Sequence, residues 1–174
     1  MSSTTSFTTH LTKNPSSLSW NYTIAVSNEI AQTYIEGDNR RIMCTLNGEH
    51  EFHAALMPDG KGDYFIMINS EIRKKLKLGA DAKLEVTIRK DTSKYGIHLP
   101  EEMKELLLAD EEGSILFHRL TPGKQRSLLH IIGKPKSSDI RLKKAVVTLE
   151  HLKTNNGKLD FKMLNEAFKE ANRK

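Results

Sequence analysis

The chain has 174 residues, of which 37% are hydrophobic and 28% charged, and its formal net charge is +5. This balance is typical of globular domains and excludes a wholly disordered chain. The longest apolar runs, such as "LLLA" at 106–109, are far shorter than the ~20 residues of a transmembrane helix. A single cysteine, Cys44, excludes an internal disulfide framework. We therefore expect a cytoplasmic protein of one ordinary domain or two small ones.

The N-terminal segment, residues 1–19, is rich in serine and threonine and carries one lysine. It has no central apolar block and no arginine, so it resembles neither a secretory signal nor a transit peptide. We predict a disordered tail over 1–19, a β-domain over 20–98 and a helical region over 99–174.

An internal repeat follows, because residues 22–48 align with residues 64–90 at a constant offset of 42, with six identities in 27 positions. Each copy begins with alternating apolar residues, which are typical of a strand with one buried face. A short helix is predicted next, capped by Asn28 or Ser70, and then a glycine and a second alternating stretch. Two such units closing together predict a small β-barrel, which would remove exposed sheet edges.

The second copy, with "INSEIRKKLKLG" followed by "AKLEV", resembles the swapped-hairpin module of AbrB-like and MazE-type transcription factors and antitoxins. Those proteins form the module from two chains, whereas this chain carries both units. It is therefore similar to the single-chain version, the double-split β-barrel of a domain of unknown function. The resemblance implies an α+β fold: a small double-split barrel built from an internal duplication, followed by C-terminal helices.

The segment "FHRLTPGKQRSLLHIIGKPKSSDIRLKKAVVTL" resembles the bacteriocin-protection, YdeI or OmpD-associated (OmdA) family. The matching positions are Phe117, Leu120, Thr121, Pro122, Arg126, Ile132, Lys134 and Arg141. The chain departs from the family pattern at Gly133, where alanine is usual. The resemblance implies a non-enzymatic protein that acts by binding, in the stress response or in protection against antimicrobial peptides.

Four helices are predicted in the C-terminal region, within "LPEEMKELLLAD", "TPGKQRSLLHIIG", "SSDIRLKKAVVTLEHLK" and "LDFKMLNEAFKEANRK". Thr121 is the expected N-cap of the second helix, with Pro122 as its first residue. The third helix places one apolar stripe inward: Leu142, Ala145, Val146, Leu149 and Leu152. The last helix is expected to bury Phe161, Leu164, Ala167 and Phe168.

Several residues with chemical potential have simpler structural interpretations. His50 and His53 of "HEFH" lie three apart, so a strand sends them to opposite faces, which disfavours a zinc site. Cys44 aligns with Val86 and is expected to be a buried apolar residue rather than a nucleophile. "PDGKGD" is expected to be a hairpin loop rather than a phosphate-binding loop. We therefore expect no catalytic residues, no metal site and no cofactor.

Charge is segregated in the C-terminal region, with −5 over residues 99–118 and +9 over residues 119–174. The polyanion-binding candidates are Arg119, Lys124, Arg126, Lys134, Lys136, Arg141, Lys143 and Lys144. Three interpretations stay open: a solvated surface that pairs with the acidic segment, a nucleic-acid contact as in an AbrB-like regulator, or contact with an anionic envelope component. The sequence names no particular protein partner.

Overall fold

The computed structural model describes residues 3–13 and 22–174 and divides into two compact units. Unit 1 is Met1–Thr92 and unit 2 is Ser93–Lys174. The boundary lies before the predicted one at residue 98, because Tyr95 and Ile97 pack against the core of unit 2. The prediction of an α+β chain, with strands first and helices after them, is confirmed.

In the described residues, unit 1 contains two four-stranded antiparallel sheets and two short helices. Its elements are β1 (Thr4–His10), β2 (Thr12–Lys13), β3 (Tyr22–Val26), α1 (Asn28–Gln32), β4 (Arg41–Leu46), β5 (His50–Ala55), β6 (Met57–Pro58), β7 (Tyr64–Ile68), α2 (Ser70–Lys75) and β8 (Lys83–Lys90). The strand orders are β1-β8-β4-β5 and β2-β3-β7-β6. Neither sheet closes on itself within these ranges, so a closed barrel is not confirmed.

The two copies of the repeat pair with each other in both sheets, β3 with β7 in one and β4 with β8 in the other. The order β3, α1, β4 recurs as β7, α2, β8. Ile24 pairs with Ile66 in one sheet, and Thr45 pairs with Thr87 in the other. Both pairs join residues that the offset of 42 equates. Equivalent residues meet in this way where an antiparallel pair crosses a twofold axis, so a pseudo-twofold axis relates the copies.

The structural repeat also includes the N-terminal strands, because β1 and β2 occupy the positions that β5 and β6 occupy in the second copy. Phe7 pairs with Val86, and Phe52 pairs with the equivalent residue Cys44. The Leu11 N–H donates to the Ala82 carbonyl at 2.9 Å. In the second copy, the Leu56 N–H donates to the Arg40 carbonyl at the same distance.

The prediction of a disordered tail is therefore wrong for residues 4–13. In the segment "TTSFTTHL", Phe7 and Leu11 lie four residues apart, which places both on one face of a strand, and β-branched threonine fits a strand. Leu11 is fully buried in the core of unit 1, which supplies the tertiary packing that the Ser/Thr-rich composition concealed. Residues 14–19 of the predicted tail lie outside the described residues.

The short helices begin one residue earlier than expected. Ser27 accepts a hydrogen bond from the Ile30 N–H, and Asn69 accepts one from the Ile72 N–H at 2.8 Å. Ser27 and Asn69, rather than Asn28 and Ser70, are thus the N-caps. "PDGKGD" forms the predicted loop, in which the Asp59 carboxylate accepts bonds from the backbone N–H groups of Lys61 and Asp63.

Unit 2 is helical, with α3 (Glu101–Ala109), α4 (Glu111–His118), α5 (Pro122–Gly133), α6 (Ser138–Thr154) and α7 (Phe161–Asn172). Helix α4 was not predicted; Asp110 caps it by accepting a bond from the Gly113 N–H at 2.8 Å. Thr121 caps α5 as predicted. No helix in the described ranges combines the length and apolarity needed to cross a membrane.

Helix α6 is central, because α3, α4, α5 and α7 all pack against it. It therefore buries Thr148 and His151 as well as apolar residues. The predicted inward stripe is wrong at Leu142 and Val146, which are 45% and 41% exposed. Phe161 of α7 is likewise more exposed than predicted, while Leu164 and Phe168 are buried as expected.

Candidate functional site

The eight predicted polyanion-binding residues lie in unit 2, between the end of α4 and the middle of α6. They occupy four positions along the chain: Arg119 at the C-cap of α4, Lys124 and Arg126 on α5, Lys134 and Lys136 in the connection, and Arg141, Lys143 and Lys144 on α6. Seven of the eight therefore lie on α5, on α6 or in the turn between these two helices.

Arg141 differs from the other seven because its guanidinium group is already hydrogen-bonded within unit 2. Its Nε and Nη2 donate to Glu102 Oε1 at 3.0 and 2.8 Å. Its Nη1 donates to the carbonyls of Pro135 and Lys136 at 2.9 and 2.8 Å. Hydrogen bonds from Arg141, and then from Ser138, lower the pKa of Glu102 from 4.5 to about 2. Arg141 thus serves the fold of unit 2.

The same contacts fix the α5–α6 connection. Arg141 ties the carbonyls of the turn to α3 through Glu102. Lys134 ends α5 as its C-cap, and its N–H donates to the His130 carbonyl at 3.1 Å. Lys134 and Lys136 are both exposed. Two cations are therefore displayed from a turn whose backbone is already held in place, which lowers the ordering cost of binding.

The remaining seven cations have no ion-pair partner within 4.0 Å in the parts of the chain that the structure describes. We call these seven residues the basic surface: Arg119, Lys124, Arg126, Lys134, Lys136, Lys143 and Lys144. Arg126 and Lys144 are half-buried and the others are exposed. The Lys144 Nζ lies 5.2 Å from the centre of the Phe168 ring, which is a cation–π contact.

The acidic segment pairs with the basic region at two places. One is the pair between Glu102 and Arg141, and the other joins Lys153 Nζ to Asp110 Oδ2 at 2.9 Å. Lys153, which was not among the candidates, lowers the pKa of Asp110 by a hydrogen bond, and the Gly113 N–H adds to this. These pairs join α6 to α3 and to the start of α4. Pairing therefore accounts for part of the charge segregation, and it does not involve the basic surface.

In unit 1, the side chains considered for catalysis or metal binding are Cys44, His50 and His53, and each is packed against or bonded to a neighbour. Burial raises the pKa of the Cys44 thiol to about 12, which disfavours the thiolate that a nucleophile needs. His50 stacks on Phe52, whereas His53 Nδ1 lies 2.7 Å from Asp91 Oδ2. The two histidines thus have separate partners. Throughout residues 3–13 and 22–174, no group of three or more metal-binding side chains is present.

Two histidines of unit 2 that the sequence analysis did not single out, His118 and His151, make hydrogen bonds in the structure. The Ser114 carbonyl can only accept, so His118 Nδ1 donates to it at 2.7 Å, and Nε2 faces the Tyr95 hydroxyl at 2.7 Å. His151 Nε2 accepts a bond from the Asp160 N–H at 3.1 Å, which ties α6 to the start of α7. Burial lowers the pKa of His151, although the Asp160 charge opposes this shift.

Comparison with curated proteins gives no match, and comparison with solved structures gives none either. A family model does match part of the chain. It covers residues 7–88, which lie within unit 1, and it is described as Domain of unknown function (DUF1905).

Proposed function

We propose that this protein acts by binding, without catalysing a reaction, and that the basic surface of unit 2 contacts an anionic partner. The observation that carries the proposal is the turn between α5 and α6. Arg141 holds its backbone, and Lys134 and Lys136 are exposed beside it without a carboxylate partner among the described residues. Exposed cations that stabilise no neighbour are suited to contact a negatively charged surface.

The anionic partner that we favour is an envelope component such as an anionic lipid headgroup, which the protein contacts from the cytoplasmic side. Each lysine or arginine near an anionic leaflet contributes about 1 kcal/mol, so several residues of the basic surface acting together give useful affinity. The C-terminal segment's resemblance to the bacteriocin-protection, YdeI or OmpD-associated family adds a biological role. In that role the protein binds at the envelope during stress and protects the cell against antimicrobial peptides.

The alternative is a DNA-binding regulator, which a feature of unit 1 favours. Unit 1 resembles AbrB-like modules, and this resemblance implies a double-split barrel. The pseudo-twofold pairing of the two copies supports this arrangement. Helix α2 ends with Arg73, Lys74 and Lys75. The equivalent residues in the first copy are Ala31, Gln32 and Thr33, so only one of the two short helices is basic at its C-terminal end.

Titration of the full chain with two probes tests both functions. Labelled duplex DNA and phosphatidylglycerol vesicles are each titrated at roughly 50 mM and 200 mM salt, because polyanion binding weakens as salt rises. The proposal expects vesicle binding that is strong at low salt and weaker at high salt. Tight DNA binding without vesicle binding supports the alternative. If neither probe binds at low salt, both functions are excluded.

A further inference from the structure

A second surface of unit 2 has the opposite charge. It is a groove of about 400 Å³ between α3 and α6, lined by Glu101, Glu102, Glu105, Leu106, Ala109 and Leu142. No lysine or arginine lines it. The rest of its lining is mostly apolar and includes the exposed side chain of Leu142, together with Ser138. The groove therefore combines apolar contact area with a negative rim.

The rim carboxylates are largely free of partners in the described part of unit 2. The Glu101 carboxylate lies 4.0 Å from Lys104 Nζ, at the outer limit of an ion pair, and both side chains are mostly exposed. Glu105 has no ion pair there, and it lies four residues after Glu101 on the same face of α3. Two negative charges thus stand one helical turn apart beside the groove.

Glu102 is the least exposed of the three groove glutamates. Its Oε1 accepts bonds from Arg141 and Ser138, whereas its Oε2 is buried and has no hydrogen-bond partner. A buried carboxylate oxygen without a donor is costly.

We propose that the α3–α6 groove is a docking site for a lysine- or arginine-rich amphipathic helix of a partner polypeptide. The apolar face of that helix packs on Leu106, Ala109 and Leu142. Its cationic side chains reach Glu101 and Glu105, which stand along one edge at helical spacing. This is the helix-in-groove mode of recognition, with charge complementarity selecting a basic partner. The groove goes beyond the polyanion-binding role, because an acidic site repels the anions that the basic surface would bind.

The test uses the full chain and a defined probe, the fluorescently labelled peptide KLAKLAKKLAKLAK, which forms a basic amphipathic helix. Its affinity is measured by anisotropy at low salt, beside that of the uncharged peptide QLAQLAQQLAQLAQ, which has the same apolar pattern. The proposal expects binding of the basic peptide, with 1:1 stoichiometry, and much weaker binding of the uncharged one.

Matched variants locate the site. E101Q/E105Q removes two rim charges and should weaken peptide binding about threefold to tenfold, as expected for a pair of exposed ion pairs. E111Q/E112Q removes the same charge at the start of α4, outside the groove, and should leave binding within about twofold. L142Q, which removes apolar contact without changing the charge, should also weaken binding. Thermal unfolding of each variant confirms that it is folded.

Several results would overturn the proposal. One is the absence of binding by the folded wild-type chain, and another is equal weakening by the two double variants. Self-association of the chain that E101Q/E105Q abolishes would show that a second copy occupies the groove. Vesicle binding is measured separately, so loss of the groove proposal leaves the polyanion-binding result unchanged, and the reverse also holds.

Discussion

The two units of the chain use charged residues differently. In unit 1 the apolar core is formed by equivalent positions of two repeats, and ion pairs such as Arg89 with Glu51 lie between exposed side chains. In unit 2 the acids precede the bases in sequence, and Arg141 and Lys153 join α6 to acidic residues of other elements. The seven cations of the basic surface have no ion-pair partner in the described structure. The apolar pattern of unit 1 thus specifies a symmetric fold. Unit 2, in contrast, carries a set of cations, the basic surface, that form no ion pair within the described structure.

The symmetry of unit 1 makes the prediction with the largest expected effect. Ile24 and Ile66 are both fully buried and pair with each other across the pseudo-twofold axis. Ile24→Ala and Ile66→Ala should each lower the free energy of unfolding by about 2–5 kcal/mol, and by similar amounts, because the two sites share one environment. Chemical denaturation measures both values. A large cost at one site and almost none at the other would contradict the symmetric account.

The paired charges of unit 2 should have the next largest effect. Glu102→Gln weakens three hydrogen bonds to one carboxylate oxygen and should cost about 1.5–3 kcal/mol, whereas Glu101→Gln, at an exposed neighbour, should cost much less. Because the folded pKa of Glu102 is depressed, its contribution is complete above about 4.5 and is lost as pH falls through about 2. The stability difference between wild type and Glu102→Gln should therefore shrink over that range. A constant difference would exclude this cause.

A smaller effect is expected from His151. Burial lowers its folded pKa below 6.5, so the unfolded chain takes up the proton first and stability falls as pH drops below 6.5. Protonation would also place an N–H where Nε2 now accepts the Asp160 N–H. His151→Gln should reduce the loss of stability between pH 7 and pH 5, as followed by thermal unfolding. An unchanged pH profile in the variant would assign the dependence to other groups.

The unpaired charges should have the smallest effect on stability. K134Q/K136Q removes two exposed lysines that have no ion pair in the described structure. The free energy of unfolding should therefore change by no more than about 0.5 kcal/mol. Thermal and denaturant unfolding of the double variant measure this. A clear destabilisation would mean that these lysines serve the fold, and the contrast with Arg141 would then disappear.

Local pattern was enough to predict most elements. The alternation of Tyr64, Ile66 and Ile68 predicted β7, and Thr121 with Pro122 predicted the start of α5. The fold of the N-terminal strand could not be predicted in this way, because Phe7 and Leu11 become informative only when β5 is seen in the equivalent position. The faces of α6 were assigned partly wrongly, since four helices pack around it and bury Thr148 and His151.

The candidate site was predicted as a set of residue types, but the sequence could not separate the paired cations from the unpaired ones. Arg141 stands between lysines in sequence, and its partner Glu102 is 39 residues away. Lys153 was not a candidate, although it contacts Asp110. Such long-range partners depend on how the helices pack, which a single sequence does not specify.

The most direct test of the central claim compares two double variants in binding to phosphatidylglycerol vesicles at low salt. K134Q/K136Q changes the turn of the basic surface, and K158Q/K162Q removes the same charge elsewhere in unit 2. Two lysines near an anionic surface contribute about 2 kcal/mol together, so K134Q/K136Q should weaken binding roughly thirtyfold. K158Q/K162Q should have much less effect. Equal weakening by both variants, or no effect of K134Q/K136Q, would contradict the account.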